Sequence, residues 1–104
     1  MTTSKLIVET AKELELFFKD NAAPRKNDPA LQRVKQYCAK LSACDSYVAE
    51  KAGEIKYLSS LFFSARKHNT LPGGADEIYH RIVDDLLNRI VTRASAIAYD
   101  ERKV

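Results

Sequence analysis

The chain has 104 residues, 17 basic and 14 acidic, and a formal net charge of +3. Apolar residues make up 45% of it and charged residues 30%, which is typical of a globular domain and excludes a disordered tail or a collagen-like chain. No apolar run approaches the roughly 20 residues of a membrane span, and the mixed N-terminal segment is unlike a signal peptide. We therefore expect a single cytoplasmic domain over residues 1–104 with no membrane partner.

The first predicted helix runs from Ser4 to about Asn21. Its apolar side chains repeat at helical spacing: Ile7, Ala11, Leu14 and Phe18. After it comes a proline-containing segment that ends in Asp28 and Pro29, the usual order of a helix N-cap and a first-turn proline. This order predicts a turn followed by the start of a second helix.

The segment from Pro29 to about His68 carries apolar residues at alternating intervals of three and four. Eight repeat positions are apolar: Leu31, Val34, Cys38, Leu41, Val48, Ala52, Ile55 and Phe62. Asp45 and Ser59 occupy the other two positions. The repeat predicts one long helix with a coiled-coil-like seam. The alternative is a break between Ser42 and Ser46, where the polar side chains are of the kind that cap helices.

A second turn is predicted over Asn69–Gly74, which contains a proline and two glycines. The third helix then starts near Asp76 and Glu77 and ends near Arg102, and these charges complement its dipole. Two adjacent apolar stripes give it a wide buried face: Ile78, Ile82, Leu86, Ile90, Ala94 and Ile97, and Tyr79, Val83, Leu87, Val91 and Ala98.

The predicted fold class is all-α, with three helices and a long middle helix, because no segment alternates with the period of a strand. At 1.5 Å per residue the middle helix would be about 60 Å long, roughly the length of the two outer helices together. Such a chain is only two helices thick. We therefore expect a second copy to complete a four-helix cross-section, which makes the protein a helical-bundle homodimer.

Chemistry-bearing side chains are few and dispersed. Cys38 and Cys44 would lie about 9 Å apart along a helix, too far for a disulfide, so we expect free thiols with Cys38 in the core. With only His68 and His80 as further soft ligands, no zinc pattern can be assembled. We predict no metal, no cofactor and no enzyme activity. A chorismate-mutase-like helical enzyme is the least favoured alternative, because no Arg or Lys interrupts the apolar stripes.

The net positive charge is concentrated in the middle of the chain. Residues 29–69 carry seven basic and three acidic side chains, a net charge of +4. These charges are spread over several helical turns and alternate with Glu50 and Glu54, and no zinc-finger or RNA-binding motif accompanies them. We interpret them as a solvated helix face, without direct contact to nucleic acid.

The densest apolar stretch, Ile55–Ala65, covers more than one face of its helix. Surplus apolar surface of this kind serves permanent and transient interfaces alike. The favoured interpretation is that the third helix covers one face and a second copy covers another. The alternative is a docking surface for a different protein. The predicted partner-binding residues are Tyr57, Leu61 and Phe63, with Phe17 and Phe18 as a second patch.

Two stretches resemble a known family. They are TAKELELFFKDNAAPRKN (Thr10–Asn27) and EKAGEIKYLSSLFFSARKHN (Glu50–Asn69), and with the chain length they are similar to the QslA-like quorum-sensing anti-activators. The resemblance implies a small helical dimer that binds the ligand-binding domain of a LuxR-type receptor such as LasR and blocks its dimerisation and DNA binding. A small helical chaperone or assembly adaptor is the alternative, because it also needs a paired bundle with surplus apolar surface.

Overall fold

The computed structural model describes residues 2–64 and 74–102. Its helices are α1 (Thr3–Asp20), α2 (Asp28–Ser42), α3 (Ser46–Phe62), α4 (Gly74–His80), a π-helical segment (Arg81–Leu86) and α5 (Leu87–Arg102). The last three follow one another directly and are called the C-terminal helix below. All regular secondary structure in the described part is helical, so the all-α prediction is confirmed. The predicted second turn lies outside the described residues, apart from Gly74.

The first two helices begin close to where the sequence predicts. Thr2 caps α1, and its side-chain oxygen accepts a hydrogen bond from the first turn. At α2 the cap is Asn27 and not Asp28: the Asn27 side chain accepts a hydrogen bond from the Ala30 amide at 3.1 Å. Asp28 thus lies in the first turn, where its charge complements the positive end of the helix dipole.

The prediction of one long middle helix is wrong. A turn at residues 43–45 separates α2 from α3, and the two helices pack antiparallel, with the Asn27 amide donating to the Phe63 carbonyl at 3.1 Å. Asp45 explains the break. Its backbone is extended and its carboxylate accepts a hydrogen bond from the Val48 amide at 3.1 Å, as an N-cap does. In a continuous helix the same carboxylate would lie on the apolar stripe, where a buried charge is costly.

α1, α2, α3 and the C-terminal helix form an up-and-down four-helix bundle. α1 packs against α2 and the C-terminal helix, and α3 packs against the same two. The Ser4 hydroxyl donates to the Glu101 carboxylate, which joins the start of α1 to the end of α5. One chain therefore completes a four-helix cross-section within dimensions of 50 × 24 × 21 Å. The two-helix thickness from which we expected a homodimer is absent.

The core runs along the bundle axis and includes side chains from all four helices of the bundle. Those exposed by at most 1% include Ile7, Leu14, Phe18, Val34, Leu41, Val48, Ile55, Phe62, Ile82, Leu86 and Ile90. Ser59, the polar exception in the repeat, is also buried, and its hydroxyl donates to the Ile55 carbonyl at 2.6 Å. The apolar repeat thus predicted burial correctly even where it predicted the wrong connectivity.

Both cysteines are free, as predicted. Cys38 lies in the core, and burial raises the pKa of its thiol to about 12. Burial also raises the pKa of Cys44, with a smaller contribution from the neighbouring Asp45 carboxylate. Because the nucleophilic form of cysteine is the thiolate, Cys38 behaves here as a small apolar core side chain.

The π-helical segment explains how the C-terminal helix keeps one face buried. Its core residues recur at strict intervals of four: Ile78, Ile82, Leu86, Ile90 and Ala94, each at most 3% exposed. In a regular α-helix each step of four would rotate the stripe by about 40°, which adds up to about 160° over the series. The i→i+5 hydrogen bonds of a π turn hold more residues per turn, so the segment at Arg81–Leu86 absorbs part of that rotation.

Candidate functional site

The predicted partner-binding residues are divided between the core and the surface. Phe18 and Phe63 are 0% and 1% exposed, and their rings stack with centroids 5.7 Å apart. In this chain they are core residues, because the ends of α1 and α3 and the start of α2 meet around them. Their contact with a partner stays a prediction that would require these helix ends to separate.

The remaining three predicted residues lie nearer the surface. Phe17 is half-buried against the Tyr37 ring, with centroids 6.2 Å apart, and Leu61 packs at the edge of the core. Tyr57 is 64% exposed. Of the five side chains, Tyr57 is therefore the one that is largely exposed.

Tyr57 borders a groove of about 520 Å³ between α3 and the start of the C-terminal helix. We call it the Tyr57 groove. It is lined by Glu50, Gly53, Glu54, Tyr57, Leu58 and Arg81. The α3 members recur three or four residues apart and so share one face of the helix. Arg81, in the π-helical segment of the C-terminal helix, forms the other edge of the groove.

Gly53 makes the Tyr57 groove more open than an ordinary helix surface. It lies in the interior of α3, where glycine costs about 1 kcal/mol relative to alanine. A Cβ atom built at Gly53 would meet nothing within 4 Å. No packing contact therefore requires a glycine here, and its effect is to leave space beside Tyr57.

The rim of the Tyr57 groove is charged. Glu54 Oε2 lies 3.6 Å from Arg81 Nη2, and Glu54 Oε1 lies 3.9 Å from Lys51 Nζ. Oε2 is enclosed by protein but accepts no hydrogen bond from the residues that the structure describes. The groove thus combines an exposed aromatic ring with a carboxylate that lies between two cations.

A second groove, of about 460 Å³, lies between α1 and the C-terminal helix. We call it the valine groove. α1 contributes Val8, Ala11, Lys12 and Glu15 to its lining, and the C-terminal helix contributes Val83, Asp84, Leu87, Asn88 and Val91. Val8 and Val91 are 40% and 37% exposed. The sequence signal for this groove is the second apolar stripe of the C-terminal helix. We expected the whole stripe to be buried, but Val91 within it is 37% exposed.

On its other side the C-terminal helix is tied to α3 by an ion pair. Arg93 donates to both carboxylate oxygens of Asp45, at 3.1 and 3.2 Å. Arg93 lowers the pKa of Asp45, and the hydrogen bond from the Val48 amide lowers it further. The paired carboxylate in turn raises the pKa of Arg93. A two-point contact of this kind fixes the relative height of two helices.

The described residues hold neither a metal-binding cluster nor a membrane-spanning helix. Over 2–64 and 74–102, no three His, Cys, Asp or Glu side chains are grouped so that they could hold a metal ion. Among the helices of the same ranges, none is both long and apolar enough to cross a membrane.

Comparison with known proteins identifies no relative: no family model, no curated protein and no solved structure matches this chain. The two grooves are consequently the features from which a function is argued.

Proposed function

We propose that this protein is a regulatory binding protein that inhibits a transcription factor of the LuxR receptor type. It binds the receptor's ligand-binding domain through the Tyr57 groove, blocks receptor dimerisation and so prevents DNA binding. Two things support the proposal. Residues 10–27 and 50–69 resemble the QslA-like anti-activators, and five of the six residues that line the Tyr57 groove belong to the second of these stretches.

The observation that carries the proposal is the pairing of Tyr57 with Gly53. A large aromatic side chain left 64% exposed gains burial when a partner covers it, and aromatic anchors contribute much of the binding energy at interfaces. Gly53 lowers the helix propensity of α3 without any contact that requires a glycine. A partner side chain that enters the space beside Tyr57 would explain both the exposed ring of Tyr57 and the glycine at position 53.

The rim indicates what such a partner presents. The Arg81 side chain is 53% exposed at the rim and lies within reach of a partner's carboxylate or carbonyl. We expect the receptor surface to insert an apolar side chain next to Tyr57 and to present a hydrogen-bond acceptor to Arg81. A surface of this mixed composition is typical of non-obligate interfaces.

Titration of the protein with the purified ligand-binding domain of a LuxR-type receptor tests the proposal. Wild type should bind and convert the receptor dimer to a smaller complex. Tyr57→Ala should weaken binding at least about tenfold, or roughly 1.4 kcal/mol. Tyr99→Ala is the matched control, because Tyr99 is 60% exposed but lies outside the groove, and it should leave binding unchanged. Absence of wild-type binding, or equal binding by Tyr57→Ala, would contradict the proposal.

We also propose that the protein acts as a homodimer. The thin cross-section no longer supports this, but the distribution of exposed apolar side chains does. Six large apolar side chains of the described part are notably exposed, and five of them lie on α1 and the C-terminal helix: Leu6, Val8, Leu16, Val91 and Tyr99. The outer surface of this helix pair is therefore more apolar than that of the α2–α3 hairpin.

A further inference from the structure

We propose that a groove between α2 and α3 binds the phosphoryl group of a small phosphorylated ligand, held between the ammonium groups of Lys35 and Lys56. The groove has a volume of about 260 Å³, and Lys35 and Ser42 from α2 and Lys56 from α3 are exposed along it. We call it the lysine groove. It shares only Gly53 with the Tyr57 groove, so the proposal does not depend on which protein the Tyr57 groove binds.

The lysine groove differs from the other two grooves in the sign of its charges. Lys35 and Lys56 are the only charged residues that line it among those the structure describes, whereas both the Tyr57 groove and the valine groove are lined by acidic and basic side chains. Lys51, on the same helix as Lys56, lies 3.9 Å from the carboxylates of Glu50 and Glu54. Neither lysine of the groove has an ion pair of this kind within residues 2–64 and 74–102.

The antiparallel packing of α2 and α3 directs the two lysines towards the same part of the groove. From the helix ends at the turn, Lys35 lies about 10 Å along α2 and Lys56 about 15 Å along α3. Side chains on a helix lean towards its N-terminus. Lys35 therefore leans away from the turn and Lys56 leans towards it, so the two positive charges approach a common height.

Buried side chains form the floor of the lysine groove. Cys38 and Ala52 line it and are 3% and 0% exposed. The Lys56 ammonium lies close enough to Cys38 to oppose the rise in the pKa of this thiol that burial causes. An anion between the lysines would thus have protein on one side. Water would screen its attraction to the lysines less there than at an open surface.

Ser42 supplies an unused hydroxyl at the end of the groove nearest the turn. Ser59, Ser60 and Ser95 each donate their hydroxyl to a carbonyl of their own helix. The Ser42 hydroxyl makes no hydrogen bond with the residues that the structure describes. Because Ser42 lies about two turns from Lys35, we expect its hydroxyl to contact an oxygen on the remainder of the ligand and not the phosphoryl group.

Two lysines favour a phosphoryl group over a carboxylate. A phosphate monoester carries a charge of about −1.5 to −2 near pH 7, which matches two ammonium groups, whereas a carboxylate carries a single negative charge. Lysine binds phosphate as a point charge with rotatable donors, whereas arginine is the better match for the planar carboxylate. None of the described arginines lines this groove.

Titration of the isotope-labelled full-length protein with inorganic phosphate tests the site, at an ionic strength of about 0.1 M that screens distant charges. Amides along the lysine groove should shift and saturate, with a dissociation constant of about 1 mM. Lys35→Gln and Lys56→Gln should each weaken binding at least about tenfold, because each removes one of the two charges. Lys40→Gln is the matched control, because Lys40 is exposed on the same helix as Lys35 but does not line the groove, and it should leave the affinity unchanged.

A second anion and a second readout complete the test. Acetate at the same ionic strength should bind at least about tenfold more weakly than phosphate. Phosphate should also raise the denaturant midpoint of wild type more than that of the Lys35→Gln, Lys56→Gln double variant. Equal affinity for acetate, or shifts that do not saturate or lie outside the groove, would overturn the proposal. An equal loss of affinity in Lys40→Gln would also overturn it, since that result shows a response to net charge alone.

Discussion

The C-terminal helix makes two seams of opposite character. Its seam with α3 carries ion pairs, Asp45 with Arg93 and Glu54 with Arg81. Its seam with α1 has three valines over the buried Leu87 and charged side chains along both edges, and no ion pair of the described residues joins these two helices. Charged contacts fix the position of one helix along its neighbour. Apolar contacts stabilise the packing without fixing that position.

The largest expected effect comes from opening the apolar seam. Leu87→Ala should lower the free energy of unfolding by about 2–5 kcal/mol, because it leaves a cavity under the valine groove. Val91→Ala, at a partly exposed position on the same helix, should cost about 1 kcal/mol at most. Denaturant unfolding at a concentration where both variants are monomeric measures the difference. Equal losses would contradict the burial of Leu87 that defines this seam.

Breaking the charged seam should cost less. Asp45→Ala removes the N-cap of α3 and the two hydrogen bonds from Arg93, and we expect a loss of about 1–2 kcal/mol. Asp45→Asn keeps an oxygen that can cap the helix but loses the charge, so its loss should be smaller. Comparing the denaturant midpoints of the two variants separates the contribution of the N-cap from that of the ion pair. If Asp45→Asn were as damaging as Asp45→Ala, the carboxylate and not the cap would hold the turn.

The same carboxylate predicts how stability changes with pH. Arg93 holds the pKa of Asp45 below its usual value of 3.8 in the folded chain, so the unfolded chain takes up this proton more readily. The stabilisation is therefore present above about pH 4 and is lost as the pH falls towards the lowered pKa. Wild type should lose its advantage over Asp45→Asn on acidification. Asp85, whose pKa is lowered by Arg89, is present in both proteins and cancels. An advantage that grows at low pH would contradict this sign.

The smallest expected effect has the opposite direction. Gly53→Ala should stabilise the chain by about 0.5–1 kcal/mol, because alanine favours the helix and the added Cβ meets no neighbour. The same methyl group narrows the Tyr57 groove, so affinity for the receptor domain should fall while the unfolding midpoint rises. Calorimetric unfolding and binding are measured on one preparation. Unchanged or improved affinity would exclude the space beside Tyr57 from the interface.

The apolar pattern of the sequence predicted which side chains are buried better than it predicted the path of the chain. Val34, Leu41, Val48, Ile55 and Phe62 are all buried as the repeat indicates. A repeat of three and four residues is, however, the same in one long helix and in two helices that fold back on each other. Asp45, the charged residue within the stripe, was the signal that could have distinguished the two possibilities. A carboxylate stabilises a helix as its N-cap, whereas its burial on an apolar seam costs free energy.

The π-helical segment also had a signal in the sequence. Apolar residues at strict intervals of four, from Ile78 to Ala94, do not fit the 3.6-residue turn of a straight α-helix, and a local widening is one way to reconcile them. The burial of Phe63 had no such signal. It follows from the amide of Asn27 bonding to its carbonyl and from the stacked ring of Phe18, which are contacts between segments far apart in the chain.

The central claim is that a receptor domain docks on the Tyr57 groove while the seams of the bundle stay closed. Titration of isotope-labelled protein with the unlabelled ligand-binding domain of a LuxR-type receptor, followed by amide chemical shifts, tests this most directly. The account predicts that the perturbed amides cluster at Glu50–Leu58 and around Arg81, while those at Asp45 and Arg93 keep their positions. Perturbations confined to other surfaces, or no perturbation at saturating receptor domain, would contradict it.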